Sequence, residues 1–96
     1  MKPWFSSQAH RDVDAATAFY VKKGWRVAEK FLIEIDAAAD AIRSNPLACP
    51  IVSGTLRRYV MRRYPFGMYY RVTHGEIIVV AVTHAKRDPL VWRSRE

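Results

Sequence analysis

The sequence predicts an α+β domain: a helical hairpin packed on one face of a small, mainly antiparallel sheet, in the order βααβββ with a short C-terminal tail or helical turn. Three observations predict it. Apolar residues recur at helical spacing up to about residue 43, the period changes to two from Leu56 onward, and the connectors between the later apolar runs are short enough for tight turns. All 96 residues then form one domain, 1–96, large enough for a single core without disulfide or metal staples.

Residues 2–6, KPWFS, read as a short first strand. Ser6 or Ser7 is placed to cap the helix that follows, because a hydroxyl there accepts from a backbone N–H that has no partner within the helix. Inside that helix Ala9, Val13, Ala16 and Tyr20 form one apolar stripe, and Gly24 ends it. A second helix, from about Trp25 to Arg43, turns Val27, Phe31, Ile35, Ala38 and Ile42 to one side, and Asn45-Pro46 stops it. So short a link between the helices sets them side by side and antiparallel.

Residues 47–55, LACPIVSGT, show no period and hold Pro50 and Gly54, so they read as a loop. Strands are expected over about 57–64, 67–73 and 76–84, joined by Pro65-Phe66 and His74-Gly75. Asp88 then caps a last helical turn, with Pro89 at its first position. If both hairpin loops hold two residues, Arg62 lies opposite Tyr69, Val60 opposite Arg71, and Arg71 opposite Ile78. One sheet face then carries Tyr59, Met61, Met68, Tyr70, Val72, Ile77, Val79 and Ala81 beneath the helices. The other carries Arg58, Arg62, Tyr69, Arg71 and His84, with Ile78, Val80 and Val82 behind them. A bulge in either hairpin would rearrange that second set.

Charge is distributed unevenly. The formal net charge is +7; up to residue 56 seven Lys/Arg stand against six Asp/Glu, and from residue 57 nine stand against three. A basic half of this kind attracts nucleic acid, an acidic partner protein or an acidic membrane surface, or is a solvated face. Arginines offer forked donors to phosphate, a tyrosine stacks on a base, and His84 moves a proton near neutral pH, which together are the parts of a metal-independent ribonuclease site. Trp92 reads either as a hydrophobic latch for the tail or as a stacking platform. No carboxylate pair or His/Cys cluster suggests a metal, no glycine-rich loop suggests a nucleotide cofactor, and none is expected. Cys49 is the one cysteine, which fits a reducing cytoplasm, and it reads as a small loop residue rather than a nucleophile. No apolar run of about 18 residues suggests a membrane span, and MKPWFSSQ lacks the apolar region of a secretory leader.

The run from Leu56 to Trp92 resembles the C-terminal half of toxins of the RelE/ParE superfamily from bacterial type II toxin–antitoxin systems. The arginine strand ending in Tyr64-Pro65-Phe66, the Tyr70-Arg71-Val72 strand and the ending His84-x-x-Arg87-x-Pro89-x-x-Trp92 carry the resemblance. The N-terminal helical hairpin and the Asn45-Pro46-Leu47 exit agree with it. The ending looks closer to the ParE-like branch, commonly described as plasmid stabilisation proteins. The resemblance implies a growth-inhibiting toxin held inactive by a cognate acidic antitoxin, through which alone it would reach operator DNA. A ParE-like toxin would poison DNA gyrase without chemistry of its own. A RelE-like one would cut mRNA on the ribosome, with Arg62, Arg71 and His84 as catalytic residues, although the C-terminal tyrosine of that branch has no counterpart here. Arg58, Tyr69, Arg87 and Trp92 are the residues expected to bind the target.

Overall fold

In the computed structural model, which describes residues 2–96, the chain forms a five-stranded sheet covered on one face by two antiparallel helices. The elements are β1 (Trp4–Phe5), α1 (Ser7–Val21), α2 (Trp25–Ser44), β2 (Ile51–Ser53), β3 (Leu56–Val60), β4 (Phe66–Thr73), β5 (Glu76–His84) and α3 (Leu90–Arg93). The strand order is β1-β5-β4-β3-β2. Among the described residues only the β1–β5 pairing is parallel, with Trp4 opposite Ile78 and Phe5 opposite Val79.

Both helices form where the spacing of apolar residues places them. Ser6 caps α1 by accepting from the Ala9 N–H at 3.1 Å. Gly24, at φ +136°, makes the reversal between the helices, a conformation that side chains resist. The expected stripes face the sheet: Ala9, Ala16, Phe31, Ile35, Ala38 and Ile42 are buried against Met61, Met68, Tyr70, Ile77, Val79 and Val82. Aromatic rings thicken this core at one end, where Phe31 lies 5.1 Å from Tyr20, 5.3 Å from Tyr64 and 5.4 Å from Phe66.

Two expectations about the sheet need correction. The segment after α2 is not all loop: Ile51–Ser53 pairs antiparallel with β3 around Gly54, whose φ of +54° suits a tight turn. The third strand also stops at Val60 rather than at residue 64. A longer connection over 61–65 replaces the two-residue hairpin at Pro65-Phe66. Pro65 has no N–H to give to a ladder, and the chain here satisfies other needs. The Met61 side chain turns into the core, the Tyr64 hydroxyl donates to the Val27 carbonyl at 3.1 Å, and the Met61 N–H donates to the Phe66 carbonyl.

The hairpin at His74-Gly75 forms as the sequence predicts. Both residues take positive φ, +51° and +76°, and Thr73 pairs with Glu76. Asp88 closes the start of α3 by accepting from the Leu90 N–H at 2.9 Å.

Candidate functional site

The β4–β5 ladder decides which side chains can act together. From the turn inward, Val72 pairs with Ile77, Arg71 with Ile78 and Tyr70 with Val79. The next pair is Tyr69 with Ala81, so Val80 is an extra residue in β5. Because successive side chains point to opposite faces, one inserted residue turns everything beyond it over. Val82 and His84 therefore lie on the helix side, where they had been expected on the open side. Ala81 moves the other way, away from the helices.

The register of β3 differs from the expected one as well. Tyr69 faces Arg58, not Arg62, and Val60 faces Gly67, not Arg71. Arg71 does lie opposite Ile78. Of the six polar or aromatic candidates on the sheet and its connections, only Arg58, Tyr69 and Arg71 share the face away from the helices. Arg62 is exposed in the 61–65 connection. His84 is half-buried on the helix side, edge-on to Phe66 with ring centroids 5.6 Å apart. Arg87 is exposed in the turn that follows. The expected sharing of one sheet face by Arg62, Arg71 and His84 does not occur.

The outer face is not open. α3 folds back across it, and Trp92 stacks on Tyr69 with centroids 4.5 Å apart and ring planes 16° from parallel. Both residues are buried, in a second core with Leu56, Val80 and Ala81. Trp92 is thus the latch of the tail, and neither ring is free to stack on a ligand while α3 is seated. Tyr69 in turn lies over Gly67, where a Cβ would come within 3.0 Å of its ring. Arg58 lies opposite Tyr69, and its Nε is buried without a hydrogen-bond partner.

The tail is tied down at its end by contacts that the sequence reading missed. Glu96 accepts from the Thr55 N–H at 2.9 Å and from the Ser53 hydroxyl at 3.4 Å, in the β2–β3 turn. Arg95 donates to Asp12 of α1 and to the Val80 carbonyl. Asp12 also accepts from the Val82 N–H at 2.9 Å. No periodic or compositional signal marks partners more than 40 positions apart.

A further set of polar contacts fixes the exit from α2. Tyr70, wholly buried, donates its hydroxyl to the Pro46 carbonyl at 2.6 Å. Burial raises its pKa well above the ordinary tyrosine value; the neighbouring Cys49 adds to the rise and Arg57 opposes it. Arg57 donates to the carbonyls of Leu47 and Cys49 at 3.0 and 2.7 Å. Burial likewise raises Tyr20, with a smaller contribution from Tyr64.

Two accessible surfaces bring apolar and basic side chains together. On the helical hairpin, Phe19, Val21, Trp25 and Ile33 are more than half exposed, with Lys23 over the Phe19 ring and Arg26 over the Trp25 ring. Aromatic residues are here flanked by cations. At the other end of α1, a notch of about 310 Å³ opens between Arg11, Asp12, Phe66, Val82, His84 and Arg87.

Comparison with known proteins accords with this architecture. The family model described as ParE toxin of type II toxin–antitoxin system, parDE, matches residues 5–89. Among solved structures, the chromosomal ParDE toxin–antitoxin system from P. aeruginosa holds a similar chain, with a TM-score of 0.77 and 25% identity over 88% of this chain and 95% of that one. No curated protein matches the chain significantly.

Proposed function

The chain belongs to the family of ParE toxins of type II toxin–antitoxin systems, and from that premise we propose that it arrests growth by binding and poisoning DNA gyrase, and that a cognate acidic antitoxin neutralises it. The reading is one of binding rather than chemistry. Its main support is the dispersal of the groups that an endoribonuclease would need. Arg71 lies in mid-strand on the outer face, Arg62 in an exposed connection and His84 on the helix side. General acid–base catalysis needs its groups within hydrogen-bond reach of one reacting centre, which this arrangement does not offer. The two rings that would hold a base, Tyr69 and Trp92, stack on each other.

The same geometry bears on how neutralisation would work. The outer sheet face is roofed by α3, whereas the helical hairpin presents Phe19, Trp25 and Ile33 beside Lys22, Lys23, Arg26 and Lys30. An amphipathic, acidic segment laid on that hairpin would bury the rings and pair with the cations. Arg87 and Arg58 remain the basic residues that we assign to the target, Arg58 becoming available where α3 is displaced.

A supercoiling assay with purified gyrase and relaxed plasmid tests the target. Toxin is expected to block supercoiling and to leave linear DNA after protein removal. Normal supercoiling at a large molar excess, together with arrest of a cell-free translation reaction, would transfer the function to the ribosome.

A further inference from the structure

We propose that the notch between α1 and the end of β5 is a phosphate-binding site, formed by Arg11, His84 and Arg87, for a phosphate monoester borne on a nucleotide or on the end of a nucleic-acid strand. The site exists because of the bulge at Val80. Without the extra residue His84 would point to the face that α3 covers; with it, the imidazole joins Arg11 of α1 and Arg87 of the following turn around one opening. The proposal does not depend on which macromolecule the toxin attacks, although Arg87 serves in both readings.

Three features make the notch a site for an anion. First, its cations are uncommitted: among the described residues Arg11 and Arg87 have no carboxylate within ion-pair distance. Second, the carboxylate that lines it is already spent. Asp12 Oδ2 accepts from Arg95 and from the Val82 N–H, and Oδ1 accepts from Arg95 at 3.3 Å. Third, His84 Nδ1 accepts from the Lys86 N–H at 3.1 Å, so the neutral ring carries its proton on Nε2, which is left to donate.

The number of donors selects phosphate over carboxylate. Two guanidinium forks and one imidazole N–H supply about five donors, more than the two oxygens of a carboxylate place well but suited to the three terminal oxygens of a phosphate monoester. Phe66 and Val82 add apolar surface to the lining of the notch, and its volume of about 310 Å³ exceeds what the anion alone fills. That size lies near the lower bound for organic ligands, roughly 300 Å³, so a sugar or base can follow the phosphate in.

The test is a titration of the full-length protein followed through the His84 ring resonances. The probes are inorganic phosphate, ATP, and a short single-stranded oligonucleotide with and without a 5′-phosphate. Saturable shifts with phosphate are expected. Arg11→Ala and Arg87→Ala should each weaken binding at least tenfold, while Arg43→Ala, which removes the same charge in the last turn of α2 and outside the notch, should leave it unchanged. Tighter binding of ATP than of the 5′-phosphorylated oligonucleotide would identify a free nucleotide as the ligand, and the reverse order a strand end; either supports the site. Absence of a saturable shift would overturn the proposal. So would an equal loss in Arg43→Ala, or tighter binding of a glutamate-rich peptide than of any phosphate probe.

Discussion

Arg95 and Asp12, 83 positions apart in the chain, form the most buried ion pair among the described residues, with side chains 15% and 11% exposed. The pair does more than join the tail to α1. Strand β1 covers the edge of β5 only as far as Val79, and beyond it the Val80 carbonyl and the Val82 N–H would lack partners. Arg95 donates to the first at 3.3 Å and Asp12 accepts from the second at 2.9 Å. Together they continue the ladder in place of a strand, at the bulge and just beyond it. Removing one member leaves the other as a lone buried charge and exposes part of the edge. Asp12→Ala or Arg95→Ala should therefore cost about 3 kcal/mol in urea unfolding. The double variant should cost clearly less than the sum of the single ones, since the second change relieves the unpaired charge. Strict additivity would refute the coupling.

The Trp92 latch makes a separate prediction about local opening. Trp92→Ala removes a buried ring and its stack on Tyr69, and large aromatic truncations of this kind cost about 3–5 kcal/mol. The loss should be felt first in α3, so amide exchange over 90–93 should quicken while α1 and α2 stay protected. Gly67→Ala reaches the same latch from below: the added methyl comes within 3.0 Å of the Tyr69 ring and pushes it toward Trp92. It should quicken exchange in α3 with the Trp92 side chain still present. Unchanged α3 exchange in both variants would show that the stack does not hold the tail.

What the sequence could and could not convey follows from the same residues. The helices were legible because Ala9 to Tyr20 and Val27 to Ile42 repeat at a period that only a helix brings to one side. The His74-Gly75 turn was legible because both positions need positive φ. The bulge was not, because Ile77, Ile78, Val79, Val80, Ala81 and Val82 are apolar at both parities, and a strand covered on both faces by α1 and α3 carries no alternation to fix its register. The end of β3 was hidden by repetition: Arg57-Arg58-Tyr59 recurs as Arg62-Arg63-Tyr64, and the second triplet continues the strand pattern although it lies in the connection. Those two slips dispersed the expected site. Asp12, Arg95 and Glu96 were missed because a pairing of distant polar residues leaves no local trace.

Tyr70 predicts how stability depends on alkaline pH. An unfolded tyrosine ionises near pH 10, whereas Tyr70, raised by burial, keeps its proton in the folded protein well beyond that. Above pH 10 the native state thus binds more protons than the unfolded one, and unfolding becomes easier as pH rises. Below pH 10 this contribution is fully present and constant. Tyr70→Phe should flatten the alkaline decline between about pH 10 and 11. At neutral pH it should cost about 1 kcal/mol for the lost hydrogen bond to the Pro46 carbonyl. Urea midpoints measured across that range, variant against wild type, decide it: equal slopes would mean that Tyr70 ionises alike in both states.

The helical hairpin carries the prediction that bears most directly on regulation. Phe19 and Trp25 are 55% and 64% exposed, so truncating either should leave the fold within about 0.5 kcal/mol of its starting stability. Each ring nevertheless sits under a cation, Lys23 at 5.4 Å and Arg26 at 5.2 Å, and an antitoxin segment that covered them would gain apolar burial and ion pairs at one place. Central aromatic residues of this kind tend to dominate binding, with losses of about 2 kcal/mol on truncation. Trp25→Ala should weaken antitoxin binding by more than tenfold, chiefly through faster dissociation. Lys23→Ala and Arg26→Ala should instead slow association and reduce its dependence on salt. The variants also separate neutralisation from toxicity: Trp25→Ala should still arrest growth when expressed alone, yet escape an antitoxin that silences the wild type. Wild-type affinity in Trp25→Ala and Phe19→Ala alike would move the antitoxin off the hairpin and require another surface for it.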